Sequence, residues 1–104
     1  MSDLLAMSEK EWSKVVTNYA TLNGWSWWHN PDSRRVNSGL PDLMFLVPGG
    51  DMFWVELKTE KGRLTNRQKE VLEDLEAAGN ETHVWRPSDW DLARERLCRT
   101  RRDK

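Results

Sequence analysis

The chain has a single cysteine, Cys98, in 104 residues. That excludes an intrachain disulfide and a multi-cysteine zinc site, and it suits a reducing compartment. No apolar run is long enough to cross a bilayer, and the start lacks a secretory pattern. A cytoplasmic location is the simplest expectation. The formal net charge is −1, so no bulk positive field marks a nucleic-acid binder. Repeats and linker-like stretches are absent, and the length is that of one domain.

Tryptophan, by contrast, is abundant, with seven residues. The expectation is that they build the core, because aromatic side chains bury large areas. A second interest is the aromatic run at Trp25, Trp27 and Trp28, which offers an interface if it is exposed. Charge gathers at the end of the chain, where Arg94 to Lys104 hold six basic and two acidic residues.

Ser8, with Glu11 three residues on, forms a capping box ahead of an apolar helical face at Trp12, Val15, Val16, Tyr19 and Ala20. Asn23-Gly24 ends that helix. Carrying its apolar face back one turn reaches Glu9, which makes Glu9 the inward acid and Glu11 the cap. A negative charge near a helix start is also favourable in its own right. Trp25 to His29 reads as a strand, and Asn30 to Gly39 as a long polar loop. Leu43 to Val47 and Met52 to Leu57 flank the turn residues Pro48-Gly49-Gly50-Asp51, a hairpin pattern. Thr65 and Gln68 form a second capping box, before a helix with Val71, Leu72, Leu75 and Ala78 on its apolar face. Thr82 to Arg86 is a fourth strand. Ser88 is the expected cap of a third helix bearing Trp90, Leu92, Ala93 and Leu97. The expected fold is α/β, one domain over 1–104, with a core at about 8–86 and a C-terminal helix and basic tail at 88–104.

Three charges stand out because they interrupt apolar strands. Glu56 and Lys58 are two apart and share a face. Asp42 joins them if the hairpin is centred on Gly49, opposite Glu56, or on Gly50, opposite Lys58. A two-residue turn at Gly49-Gly50 sends Asp42 to the other face unless a bulge corrects it. Adjacent carboxylates repel and are costly to desolvate, and a divalent cation relieves both problems. Mg²⁺ takes one or two carboxylates and keeps waters and phosphate oxygens. Lysine beside such a pair can orient water or neutralise charge on a phosphate. Without that context, Glu-x-Lys is an ordinary surface pair.

Gly39-Leu40-Pro41-Asp42-Leu43, then Val55-Glu56-Leu57-Lys58-Thr59, then Gly62-Arg63-Leu64-Thr65 and Gln68 resemble the VRR-NUC (virus-type replication-repair nuclease) branch of the PD-(D/E)xK superfamily. The likeness runs from about Ser8 to Arg86. It implies a restriction-endonuclease-like αβββαβ core, here with an extra C-terminal helix. It also implies a Mg²⁺ (or Mn²⁺) site made by Asp42, Glu56 and the backbone carbonyl of Leu57, with Glu9 joining through water. Lys58 would assist the attacking water. Gln68 would belong to the catalytic set, although its oxygen cannot easily serve both the site and the Thr65 cap. The two histidines have no part in the pattern; His29 ends a strand near the loop and could face the site, but the expectation is a packed or surface histidine.

Together these features point to a metal-dependent endonuclease acting on DNA. Arg34, Arg35, Ser38, Lys61 and Arg63 are the candidate DNA contacts, which position phosphates without reading sequence. A single subunit of this charge should bind weakly and with strong salt dependence. The resemblance further implies branched or four-way-junction DNA as substrate, a homodimer, and a role in replication, recombination or repair. If a phage encodes the chain, the host cytoplasm is its location. Two rival readings are a non-catalytic DNA-binding or scaffold module that keeps the fold, and a regulatory partner of a larger replication assembly recruited through the arginine-rich tail.

Overall fold

A computed structural model of the chain describes residues 4–30 and 39–99. After a 3-10 turn at Leu4–Ala6 the elements are α1 (Glu9–Leu22), β1 (Ser26–His29), β2 (Leu43–Leu46), β3 (Met52–Leu57), α2 (Asn66–Ala77), β4 (Thr82–Trp85) and α3 (Trp90–Leu97). This is the expected αβββαβ order with an added helix. The sheet runs β1-β2-β3-β4, antiparallel except for the β3–β4 pair. Parallel pairing needs a crossover, and α2 supplies it.

Both capping boxes form. Ser8 Oγ accepts from the Glu11 N–H at 3.1 Å, and the Glu11 carboxylate accepts from the Ser8 N–H at 2.9 Å. Thr65 and Gln68 repeat this at α2, at 3.0 and 2.9 Å. Each such cap contributes about 1 kcal/mol.

The hairpin settles the open question of register. Leu43 pairs with Val55, Phe45 with Phe53 and Leu46 with Met52, so the connection is centred on Gly49. Gly49 has φ +76°, and the Gly50 N–H donates to the Val47 carbonyl at 2.9 Å. Pro48 followed by a positive-φ glycine is the chemistry of a type II turn. The same register, carried one step beyond Leu43, sets Asp42 opposite Glu56.

One face of the sheet buries Leu43, Phe45, Phe53, Val55 and Leu57 against Trp12, Val16 and Ala20 of α1 and Ala93 and Leu97 of α3. Full burial of one such large side chain is worth about 1.5–3 kcal/mol. Trp12 and Trp25 carry a polar N–H into this core and satisfy it on main-chain carbonyls, of Trp85 at 3.0 Å and Leu97 at 2.8 Å. The Trp12 bond fixes the start of α1 to the end of β4. The Trp85 carbonyl also accepts from the Lys58 N–H at 3.1 Å, so α1, β3 and β4 meet at one end of the sheet. At the opposite end Arg96 bridges Glu81 (2.6 and 2.8 Å) and Asp51 (2.9 Å) while lying over the Phe53 ring.

Several expectations need correction. Trp12, Trp25 and Trp85 are core residues, but Trp28 is 52% exposed and Trp27 also reaches solvent. They lie on β1, an edge strand whose four residues are all exposed. Ser88 does not cap α3: Pro87–Asp89 forms a 3-10 turn, and Asp89 Oδ2 accepts from the Arg86 N–H instead. On α3, Ala93 and Leu97 are a turn apart and point inward, while Leu92, adjacent to Ala93 and so turned well round the helix, is 64% exposed. On α2 only Leu72 is buried; Ala78 is exposed, and Val71 and Leu75 are half-buried.

Candidate active site

The meeting point of α1, β3 and β4 also collects the charged residues. Asp42 immediately precedes β2, opposite Glu56, and its Oδ2 accepts from the Leu57 N–H at 3.1 Å. That bond fixes the Asp42 carboxylate beside the Leu57 peptide. Glu56 is buried at 2% exposure. Its Oε2 lies 3.7 Å from Lys58 Nζ and accepts from Gln68 Nε2 at 3.0 Å. Oε1 is buried with no hydrogen-bond partner. A buried carboxylate oxygen left bare costs on the order of 1–3 kcal/mol or more, so its retention calls for an explanation.

Gln68 uses both ends of its amide. The oxygen accepts from the Thr65 N–H, and the nitrogen donates to Glu56. The α2 cap is thereby coupled to the buried acid. Replacing Gln68 by Ala removes both bonds, and a loss of about 2 kcal/mol is expected in thermal unfolding. Thr65→Ala should cost about 1 kcal/mol and leave Glu56 still bonded. Gly39 completes the contact between α2 and the approach to Asp42. A Cβ there would sit 2.8 Å from the Arg67 carbonyl and from Val71.

Three carboxyls feel one another here. Burial, then the charge of Asp42, pushes Glu56 up to about 8, with Lys58 opposing. Asp42 is also raised, by burial, against the Leu57 N–H, His29, Lys58 and a side-chain hydrogen-bonding contact with Glu56. Glu9, the first residue of α1, opens to solvent, yet enough protein surrounds it for desolvation to raise its pKa, with Asp42 adding to the shift. Lys58 and His29 pull Glu9 the other way. Such perturbation is what several carboxyls crowded together away from water produce.

The remaining predicted residues are placed less centrally. Lys61 and Arg63 are exposed on the loop after Lys58. That loop is braced by Arg86 Nη2 donating to the Gly62 carbonyl at 2.8 Å and by the Ser88 N–H donating to Glu60 at 2.9 Å. Arg34, Arg35 and Ser38 lie outside the described residues. His29 is exposed, as expected of a surface histidine, and it also lines one cavity with Glu9 and Asp42. Lys10, Lys14 and Trp27 line it too. The sequence carried a faint signal for the lysines, since i, i+4 spacing puts them on one side of α1. A lone histidine gives no such pattern.

Among the described residues no group of three or more Asp, Glu, His or Cys could hold a metal ion. Glu9 therefore does not close a three-carboxylate cage with Asp42 and Glu56. What converges is the carboxyls of Asp42, held on the Leu57 N–H, and Glu56, an oxygen donor pair with one oxygen bare. A hard divalent cation that keeps several waters suits such a set.

No curated protein and no solved structure matches the chain. Residues 5–89, however, match the VRR-NUC domain. Geometry and match cover the same stretch, from the helix bearing Glu9 through the hairpin and Gln68 to the end of β4, and on that basis the chain belongs to the VRR-NUC family of nuclease-type domains.

Proposed function

We propose that the chain is a Mg²⁺- or Mn²⁺-dependent endonuclease that hydrolyses DNA phosphodiester bonds and prefers branched DNA such as four-way junctions. The observation that carries this reading is the bare, buried Oε1 of Glu56 beside Asp42, with Lys58 3.7 Å from the other oxygen. Asp42, Glu56 and the Leu57 carbonyl would hold the cation, with Glu9 reaching it through water. When bound, the cation supplies Lewis-acid polarisation of a phosphoryl oxygen and a more acidic water. Lys58 then faces the scissile phosphate, orients the attacking water and offsets the negative charge that builds on phosphorus. Gln68 keeps Glu56 in one orientation. Lys61 and Arg63 contact the phosphate backbone, as do Arg34, Arg35 and Ser38 in this reading.

A homodimer would place two such sites on the two strands of a junction. Support comes from the sheet face away from α1, where Trp28 and Met52 are exposed beside half-buried Met44, Leu46 and Trp54. A scaffold that only bound DNA would gain nothing from two carboxyls turned toward phosphate. The test is a panel of junction, flap, nicked and linear DNA with Mg²⁺, Mn²⁺ or chelator, run beside native mass measurement. Cutting with metal, fastest on branched DNA, and a dimeric mass are expected. No cutting of any substrate with metal present would overturn the enzymatic reading.

A further inference from the structure

The cavity that holds Glu9, His29 and Asp42 continues away from them, between α1 and β1, and the reaction described above does not use that extension. Its volume is about 580 Å³, inside the range of about 300–1,000 Å³ usual for small-molecule sites. On the α1 side, Ser13 and Thr17 lie one and two turns beyond Glu9 and form the wall. Lys10 and Lys14, also a turn apart and both exposed, stand at the rim. On the sheet side is Trp27, 37% exposed, its indole N–H donating to Thr21 Oγ1 at 3.0 Å. The wall is thus a fixed aromatic ring facing the space, with two cations at its edge and the candidate catalytic acids at its inner end.

We infer that this groove takes one unpaired nucleotide next to the scissile phosphate, its base against Trp27 and its flanking phosphates on Lys10 and Lys14. The inference rests on the nuclease reading for where the scissile phosphate lies. Three arguments select this occupant. Two lysines complement a polyanion and leave a neutral apolar ligand without reason. An aromatic platform beside cations is the usual way to hold a single strand, because every base has a π-face. The groove is also continuous with the acids, so whatever fills it lies beside the reaction centre. A stacked base in a duplex cannot enter such a recess; a nucleotide must leave the stack first. Unstacking costs a few kcal/mol and least where the base is already unpaired. The groove therefore provides a physical source of preference for branch points, gaps and flaps over continuous duplex.

The test compares affinities, by fluorescence anisotropy in Ca²⁺, for a duplex with a single-stranded gap and for the same duplex fully paired. Trp27→Ala should weaken binding of the gapped DNA by about 10- to 100-fold and leave the paired duplex unchanged. Trp27→Phe should stay near the parent. The double variant Lys10→Gln, Lys14→Gln, at exposed helix positions, should reduce the salt slope of single-strand binding by about 1.4. Equal binding of both DNAs by Trp27→Ala and by the parent would overturn the inference, as would an unchanged salt slope in the lysine variant. If Trp27→Ala fails to fold, the lysine variant still decides. A parent that binds gapped DNA through Trp27 but cuts nothing with Mg²⁺ would sink the nuclease reading and leave the groove standing. A parent that cuts, with Trp27→Ala indistinguishable from it, would do the reverse.

Discussion

Glu56→Gln is expected to do two opposite things: to remove DNA cleavage, by at least about 10³-fold, and to make the metal-free protein more stable at neutral and alkaline pH. Both effects follow from one buried carboxyl. Its pKa is about 8 in the folded chain, raised by burial and then by Asp42 from an ordinary 4.5. Between these values the folded state holds a proton that the unfolded chain has lost. The Glu56 contribution to stability is therefore fully present below about pH 4.5 and is lost as pH rises to about 8. The loss is on the order of 2–5 kcal/mol, since each pKa unit is worth about 1.4 kcal/mol. Glutamine keeps the shape and the oxygen that Gln68 Nε2 bonds, but it cannot ionise. Thermal melts in chelator from pH 5 to 9 should slope downward for the parent and flatten for Glu56→Gln. A parallel pair of curves would mean that Glu56 is not the group responsible.

The second large effect is at Lys58. Its Nζ is 3.7 Å from Glu56 Oε2 and only 15% exposed, so the charge is held at the site and is not free to wander in solvent. Substitution by Ala should lower the single-turnover cleavage rate by about 10²–10³-fold, the usual loss when one preorganised charge is removed from a developing anion. DNA affinity in Ca²⁺ should change by less than about threefold, because one exposed-phosphate contact fewer is a small part of the total. The Ala variant also removes a cation that opposes the rise in Glu56, so its metal-free melts should be more pH-sensitive than the parent's. Arginine at this position should recover only part of the rate, since a planar fork does not reproduce a compact ammonium. Loss of affinity with an unchanged rate would make Lys58 a tether for DNA.

What the sequence made legible was local. The Ser8–Glu11 and Thr65–Gln68 boxes and the turn at Pro48-Gly49 are short-range chemistry, and each stands where its residues imply. The hairpin register was narrowed to a few alternatives, but only the pairing of Leu43 with Val55 chose among them. Residues whose fate depends on distant neighbours were harder to place. An unbroken aromatic run such as Trp25, Trp27 and Trp28 has no alternation to say which face is covered, and the position of β1 at the sheet edge decides it. Leu92 is apolar like its neighbours, but the packing of Ala93 and Leu97 on the core sets the phase of α3 and leaves Leu92 outward. The capping pattern at Gln68 uses only the amide oxygen, and the donor end that reaches Glu56 depends on a contact distant in sequence. His29 comes to the cavity through sheet geometry, to which no motif points.

The proposed hydrolysis needs Asp42 and Glu56 to act as a cation-holding pair. The most direct measurement is single-turnover cleavage of one branched DNA by the parent and by Asp42→Asn, each with Mg²⁺ and with chelator. Rapid cutting only by the parent with Mg²⁺, with Asp42→Asn folded but silent, is the predicted result. Equal cutting by the two proteins, or cutting by the parent in chelator, would contradict it.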